Sequence, residues 1–282
     1  MRFMMMVKSS EEAEAGVLPS EAELSEMGAF NEQLMKAGLM LAGEGLQGSS
    51  KGARVRISGK KTTILDGPFV EAKELLAGYW VIRADSKEQA LDWAKRVPFR
   101  EGALEVRPLY EPEDFGGEPA SAENPQPAPA RKPGTRRFMC LLKADKNTEA
   151  GMPANEQLLV EMGGLMEEVT RRGALLAGDG LKPTSRGARV HYSGSMRSVV
   201  DGPFTESKEL IAGYTVLQSE SLAEAVEFSR RMLDIHMRGT GIEEGEVEVR
   251  QVFELEDFPV GDAEKPEGWR KQELAFRDRT AG

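Results

Sequence analysis

Apolar and mixed stretches alternate along this chain in an order that is run through twice. Phe3–Val7 and Phe138–Leu142 are short, unbroken apolar runs, the pattern of strands buried on both faces. After each comes a segment with apolar residues at helical spacing. In the first copy these are Leu24, Met27 and Leu34, with Asn31 on the same stripe and Phe30 beside it; in the second they are Leu159, Met162, Met166 and Val169. Ser20-x-x-Glu23 is a capping box that opens the first of these helices. Gly38 and Gly173 stand where a left-handed residue closes a helix. Leu39–Ala42 and a Gly-rich turn follow. Arg54-Val55-Arg56-Ile57 alternates polar and apolar, which predicts a half-exposed strand. Ser58-Gly59-Lys60 predicts a hairpin turn, with Thr62–Leu65 as the returning strand. Tyr79–Ile82 and Tyr214–Leu217 are further strands. Ser86-x-x-Gln89 and Ser221-x-x-Glu224 open second helices, the first with Ala90, Trp93, Ala94 and Val97 as its buried face. Leu104–Leu109 and Val247–Phe253 close the two copies.

The order in each copy is β-α-β-hairpin-β-α-β, the split βαβ or ferredoxin-like plan with an inserted hairpin, so the fold class is α+β. The two copies align at an offset of 135 residues from Arg2/Arg137 to Arg96/Arg231. Roughly two in five positions are identical over that span, which makes it a tandem duplication. Copy one covers residues 1–115 and copy two 136–258. Residues 116–135, rich in Pro, Ala and Gly, read as an extended linker. Residues 259–282 form a polar tail containing Trp269, Leu274 and Phe276. Copy two carries eight additional residues before its last strand, around Arg238–Gly245. A sheet with helices on one face leaves the other face bare. Two units cover it by pressing bare faces together or by joining edges into a barrel. An intramolecular pseudo-dimer, or a homodimer with exchanged copies, satisfies that need.

Composition narrows the class of function. Net charge is −10, and no run of clustered Lys and Arg exists to track a phosphate backbone, which argues against nucleic acid as a partner. Cys140 is the only cysteine, so no intrachain disulfide forms. It lies in an apolar run where a small buried hydrophobe fits, and this usage agrees with a cytoplasmic location. The apolar run at the N-terminus is too short for a signal-peptide core or a membrane span. No Gly-x-Gly-x-x-Gly opens a helix, and neither metal-ligand spacing nor a nucleophile motif is present, so no cofactor or metal is expected.

The longest shared motif is Asp66-Gly67-Pro68-Phe69-Val70-Glu71-Ala72-Lys73-Glu74, repeated at Asp201-Gly202-Pro203-Phe204-Thr205-Glu206-Ser207-Lys208-Glu209. It resembles the defining segment of the DGPFAETKE proteins within the YCII-related superfamily. Gly43–Leu46 and Glu105–Pro108 are similar to that family as well. The resemblance implies a dimeric α+β barrel and, often, a genomic link to extracytoplasmic-function sigma factors. Some YCII-type proteins carry a His–Asp pair, with the His in the first helix. Here Met27-Gly28 and Met162-Gly163 occupy that helix and the pair is absent; His236 reads as a loop residue.

Candidate chemistry therefore rests on a few side chains. Asp66 and Asp201 are either turn formers ahead of Gly-Pro or carboxylates at a cleft mouth that transfer protons. Glu71, Lys73, Glu74 and Glu206, Lys208, Glu209 read as a solvated charge run or a local ion pair, with Lys73 and Lys208 as possible anion contacts. Arg54, Arg107, Arg189 and Arg250 recur on strands, and any that faces a cleft is a candidate clamp for a carboxylate. The favoured expectation is a module that binds a small anionic or aromatic molecule, or a regulatory protein that meets a sigma factor. The alternative is a cofactor-independent isomerase, lyase or oxygenase acting on a small organic acid through Asp66 and Asp201.

Overall fold

The structure is a computed structural model that describes residues 1–70, 75–116, 129–204 and 209–258. Copy one contains β1 (Arg2–Lys8), α1 (Glu11–Glu14), α2 (Glu21–Lys36), β2 (Met40–Gly45), β3 (Ala53–Ser58), β4 (Lys61–Asp66), β5 (Leu76–Arg83), α3 (Lys87–Ala94) and β6 (Glu101–Pro108). Copy two contains β7 (Arg136–Lys143), α4 (Lys146–Glu149), α5 (Glu156–Arg171), β8 (Leu175–Gly180), β9 (Ala188–Ser193), β10 (Met196–Asp201), β11 (Ile211–Ser219), α6 (Leu222–Thr240) and β12 (Glu244–Gln251). The α+β order is the one expected. No helix among the described residues is long and apolar enough to cross a membrane.

The hairpins are exchanged between the copies. One six-stranded sheet runs β10-β9-β6-β1-β5-β2, the other β4-β3-β12-β7-β11-β8. In the second, Val55 stands opposite Val247 and Arg54 opposite Glu248. In the first, Val190 stands opposite Leu104 and Arg189 opposite Glu105. The sheets face one another over Met4, Met6, Tyr79, Val81, Met139, Leu141, Tyr214 and Val216, so the bare faces are pressed together. Isolated bridges at Leu46–Val252 and Leu109–Leu181 tie the sheets where their ends meet. The sheets stay two: these bridges, and no continuous ladder among the described residues, connect them.

Outside this central layer each sheet carries its helices. Phe3, Met5, Phe30, Leu34, Trp80 and Ile82 pack under α2 and α3, together with Ala188, Val190 and Tyr192 from the copy-two hairpin. Ala53, Val55 and Ile57 from copy one enter the other helical core, beside Phe138, Cys140, Leu165 and Leu233. The alternation read from β3 thus has its apolar face in the partner copy. The sequence expectation of a half-exposed strand fails at Arg54, which is buried because β3 sits inside the second sheet and between layers.

Local signals set the helix ends. Ser20 and Glu23 form the reciprocal capping box. At Ser86 and Ser221 only half a box forms, since Gln89 and Glu224 accept instead from the N–H groups of Asp85 and Glu220. Gly38 and Gly173 adopt φ of 69° and 62°, the left-handed closure expected. The eight additional residues of copy two do not make a loop. They lengthen its second helix, so α6 has 19 residues where α3 has 8. The long helix lies against α5: Arg231 meets Glu168 at 2.6 Å, and a Cβ on Gly239 would lie 2.6 Å from Leu158 Cβ.

Val55 belongs by sequence to copy one and by packing to copy two, so Val55→Ala tests the exchange. Removing its buried methyl groups should cost about 2 kcal/mol. The loss should lower one cooperative urea transition for the whole chain. Separate transitions for the two copies, with only one displaced, would show that the exchanged hairpins do not couple them.

Candidate functional site

The DGPF segments work first as clips. Asp66 ends β4 opposite Ala53, and Asp201 ends β10 opposite Ala188. The next residue in each copy is pressed on the backbone: a Cβ on Gly67 would lie 1.9 Å from the Ser49 carbonyl oxygen, and one on Gly202 equally close to that of Thr184. Only glycine fits there. The Gly67–Pro68 and Gly202–Pro203 peptides are cis. The chain then turns so that the Phe69 N–H donates to Ser49 Oγ at 3.0 Å, and the Phe204 N–H to Thr184 Oγ1 at 3.3 Å. Each ring covers the arginine of its hairpin, with guanidinium-to-ring distances of 4.3 Å at Arg54 and 4.1 Å at Arg189. Asp66 is exposed. The Asp201 side chain is 73% exposed and pairs with Lys87 at 2.6 Å. Lys73 and Lys208 lie outside the described residues.

The four arginines are occupied by the protein's own carboxylates. Arg54 meets Glu248 at 2.8 Å and Glu209 at 3.0 Å. Lys143 reaches the same two groups at 3.1 and 2.6 Å. Arg250 binds Glu248 at 3.1 Å and Glu14 at 2.9 Å, and it donates to the Gln47 carbonyl. In the related network Glu105 takes Arg107 at 3.1 Å and Arg189 at 2.9 Å, while Arg107 donates to the Lys182 carbonyl. Glu209 therefore leaves the charge run that reads as solvated: it is buried, and its pairing with Arg54 reaches across 155 residues rather than being local. Burial alone would push the carboxyl of Glu248 up. The fields of Lys143, Arg250 and Arg54 outweigh it and hold the group down at about 2.

Other charged groups in the interior are also paired. Arg2 binds Asp179 at 2.9 Å and Glu111 at 3.0 Å, and Tyr214 donates to Asp179 at 3.1 Å. Arg137 pairs with Glu44 and with Glu254 in the corresponding place. Cys140 is fully buried, and desolvation pushes its thiol up to about 12, which makes it inert as a nucleophile. His236 is not a loop residue. It sits in the added turns of α6, and its Nε2 lies 3.0 Å from the Asp145 carboxylate that caps α4. That carboxylate also accepts from the backbone of Asn147 and Thr148, so the pair ties the end of α6 to the start of α4.

One cleft in copy one is shaped for a ligand. It has a volume of about 280 Å³ and lies between α2 and the β2–β5 edge. Met27, Asn31 and Met35 line it from α2; Trp80 and Phe99, with Phe253 from copy two, are among the residues that line it elsewhere. Gly43 lets Trp80 pack close to β2, because a Cβ there would lie 2.8 Å from Trp80 Cδ1. Glu44 contributes to the rim, but it pairs across the ladder with Tyr79, on the face of β2 that looks toward the other sheet. Its carboxylate is held there by Arg137. At the position of Trp80 copy two has Thr215, whose Oγ1 lies 3.7 Å from the sulfur of the buried Met232 on α6. Sequence reasoning placed Asn31 on the helix stripe and Trp80 in a strand, but gave neither a role. The available signal was that both differ between the copies, as Met166 and Thr215.

The Glu248 network gives a pH-dependent stability. Its carboxyl is held below its unfolded value, so its contribution is complete above that value, about 4.3, and is lost as pH falls toward 2. Glu248→Gln should cost about 3 kcal/mol near neutral pH, because buried cations lose their partner. It should also flatten the fall in Tm over that acid range. Thermal melts of both proteins across pH measure this, and identical pH slopes would refute it.

Comparison with known sequences agrees with the internal duplication. The YCII-related domain matches residues 1–113 and again residues 136–256. The chain is also 33% identical over 97 residues to an uncharacterized protein from Rhizobium meliloti (strain 1021), an alignment covering 33% of this chain and 78% of that protein. With both copies matched, and the fold and exchanged hairpins accounting for the repeated motif, this chain belongs to the YCII-related family.

Proposed function

We propose that the protein is a small-molecule-binding module whose ligand is an aromatic or otherwise apolar compound held in the copy-one cleft. The observation that carries this reading is the cleft itself, of about 280 Å³, walled by Trp80, Phe99, Phe253 and the methionines of α2. Clefts of this size and lining take small, largely apolar ligands. Of the two ligand classes expected from the sequence, the aromatic one fits better. Arg54, Arg107, Arg189 and Arg250 already bind internal carboxylates, and none is among the described residues lining the cleft. Binding also fits better than proton transfer. Asp66 and Asp201 are exposed and do not belong to the described lining.

Titration of the full chain with tetralin, a bicyclic hydrocarbon of suitable size, tests this reading by calorimetry. Wild-type protein should bind it in the micromolar to millimolar range. Met27→Trp, which fills the cleft from α2, should abolish binding while leaving the circular dichroism spectrum and Tm close to wild type. A wild-type protein that takes up no tetralin, and shows no retained molecule in its native mass spectrum, would reject the proposal.

A further inference from the structure

Trp80 is buried to 6% exposure, and its indole N–H donates to Asn31 Oδ1 at 2.8 Å. An indole nitrogen is a donor only, so this bond fixes which end of the amide faces the tryptophan. The carbonyl oxygen is used and the NH2 group faces elsewhere. Among the described residues Asn31 Nδ2 meets no acceptor, although Asn31 is half-buried and lines the cleft between Met27 and Met35. The amide nitrogen is open to solvent, so a ligand acceptor would take the place of water at it.

The duplication supplies an internal comparison. At the positions of Asn31 and Trp80, copy two has Met166 and Thr215. There Thr215 points its hydroxyl at the Met232 sulfur. The oriented amide is thus particular to copy one.

The geometry points to Asn31 Nδ2 as the specificity-determining donor of this cleft, selecting a neutral compound that carries a carbonyl-type acceptor. This rests on the cleft being the binding site, as proposed above. Neutrality follows from the surroundings. Glu44 is the only charged residue among the described lining, and its carboxylate is engaged by Arg137. An ionised ligand would lose its water without meeting a counter-charge. The rings of Trp80, Phe99, Phe253 and Phe258 supply the apolar surface on which such a compound would rest.

The probes are tetralin and 1-tetralone, which differ by one carbonyl oxygen. Calorimetric affinities of both are measured on the full-length wild type, on Asn31→Met, and on Asn31→Asp. The aspartate keeps an acceptor for Trp80 and removes the amide donor, so it serves if the methionine variant folds poorly. The tetralone-to-tetralin affinity ratio should fall about tenfold from wild type to either variant, as expected when a desolvated carbonyl loses its partner. Tetralin has no acceptor and serves as the reference within each variant, so a change of cleft volume at position 31 affects both probes and cancels from the ratio. A ratio that does not change between wild type and the variants, with tetralin still bound, overturns the role of Asn31 and leaves the cleft standing. Failure of wild-type protein to bind either probe overturns the cleft reading, and this inference with it.

Discussion

Glu248 is almost wholly removed from water, and its charge is tolerated there because Arg54, Lys143 and Arg250 surround it. Those cations come from three strands and from both halves of the chain. Removing any one strand would leave charge stripped of water and unpaired, which costs far more than a lost surface pair. The exchanged hairpins follow from this as much as from apolar packing. β3 brings Val55 into the core of copy two with one face and Arg54 to Glu248 with the other. Glycine and phenylalanine of the repeated motif then lock the return strand, the one by fitting against a carbonyl, the other by covering the guanidinium. The motif is a device for delivering a charged hairpin into a dry place.

With the halves bound together in this way, a change in one is free to alter the other's surroundings without separating them. The lengthened α6 packs along α5, and its side chains occupy the space beneath. Copy one lacks those turns, and the cleft lies beside its α2. Two sequences that began alike therefore differ on their helical faces: in copy two α6 is braced to α5, and in copy one Asn31 holds Trp80 beside the cleft. Near-symmetry of the sheets is kept where the ion networks lie, and abandoned on the helical faces, where only packing is at stake.

Much of this was legible in the sequence. The order of elements, the Ser20–Glu23 box and the left-handed glycines follow from local chemistry, and local chemistry decided them. The repeat implied two units covering each other's bare faces, and they do. What could not be read was partner choice over long separations. Arg54 looks half-exposed because alternation reports a strand's own faces, not which sheet receives it. Glu209 looks solvated because its neighbours are charged, whereas its partners lie in β3 and β7. The added residues of copy two look like a loop, with Gly239 and Gly241 among them. They continue the helix because Gly239 permits close approach to Leu158 and Gly241 supplies the left-handed end. Asn31 sits on an apolar stripe as a lone polar residue; its meaning needs Trp80, which is 49 residues away in the chain.

The exchange also imposes an order on biosynthesis. Arg54 and Glu248 are separated by 194 residues. A chain made from its N-terminus presents the β3–β4 hairpin long before β12 exists to receive it. During that interval Val55 and Ile57 have no sheet to enter, and Arg54 remains in water. Copy one cannot reach its finished state on the ribosome ahead of copy two, because β6 in turn awaits β9. The two halves of the duplication are therefore a single unit of folding in time as well as in space, and the last strand to emerge completes both.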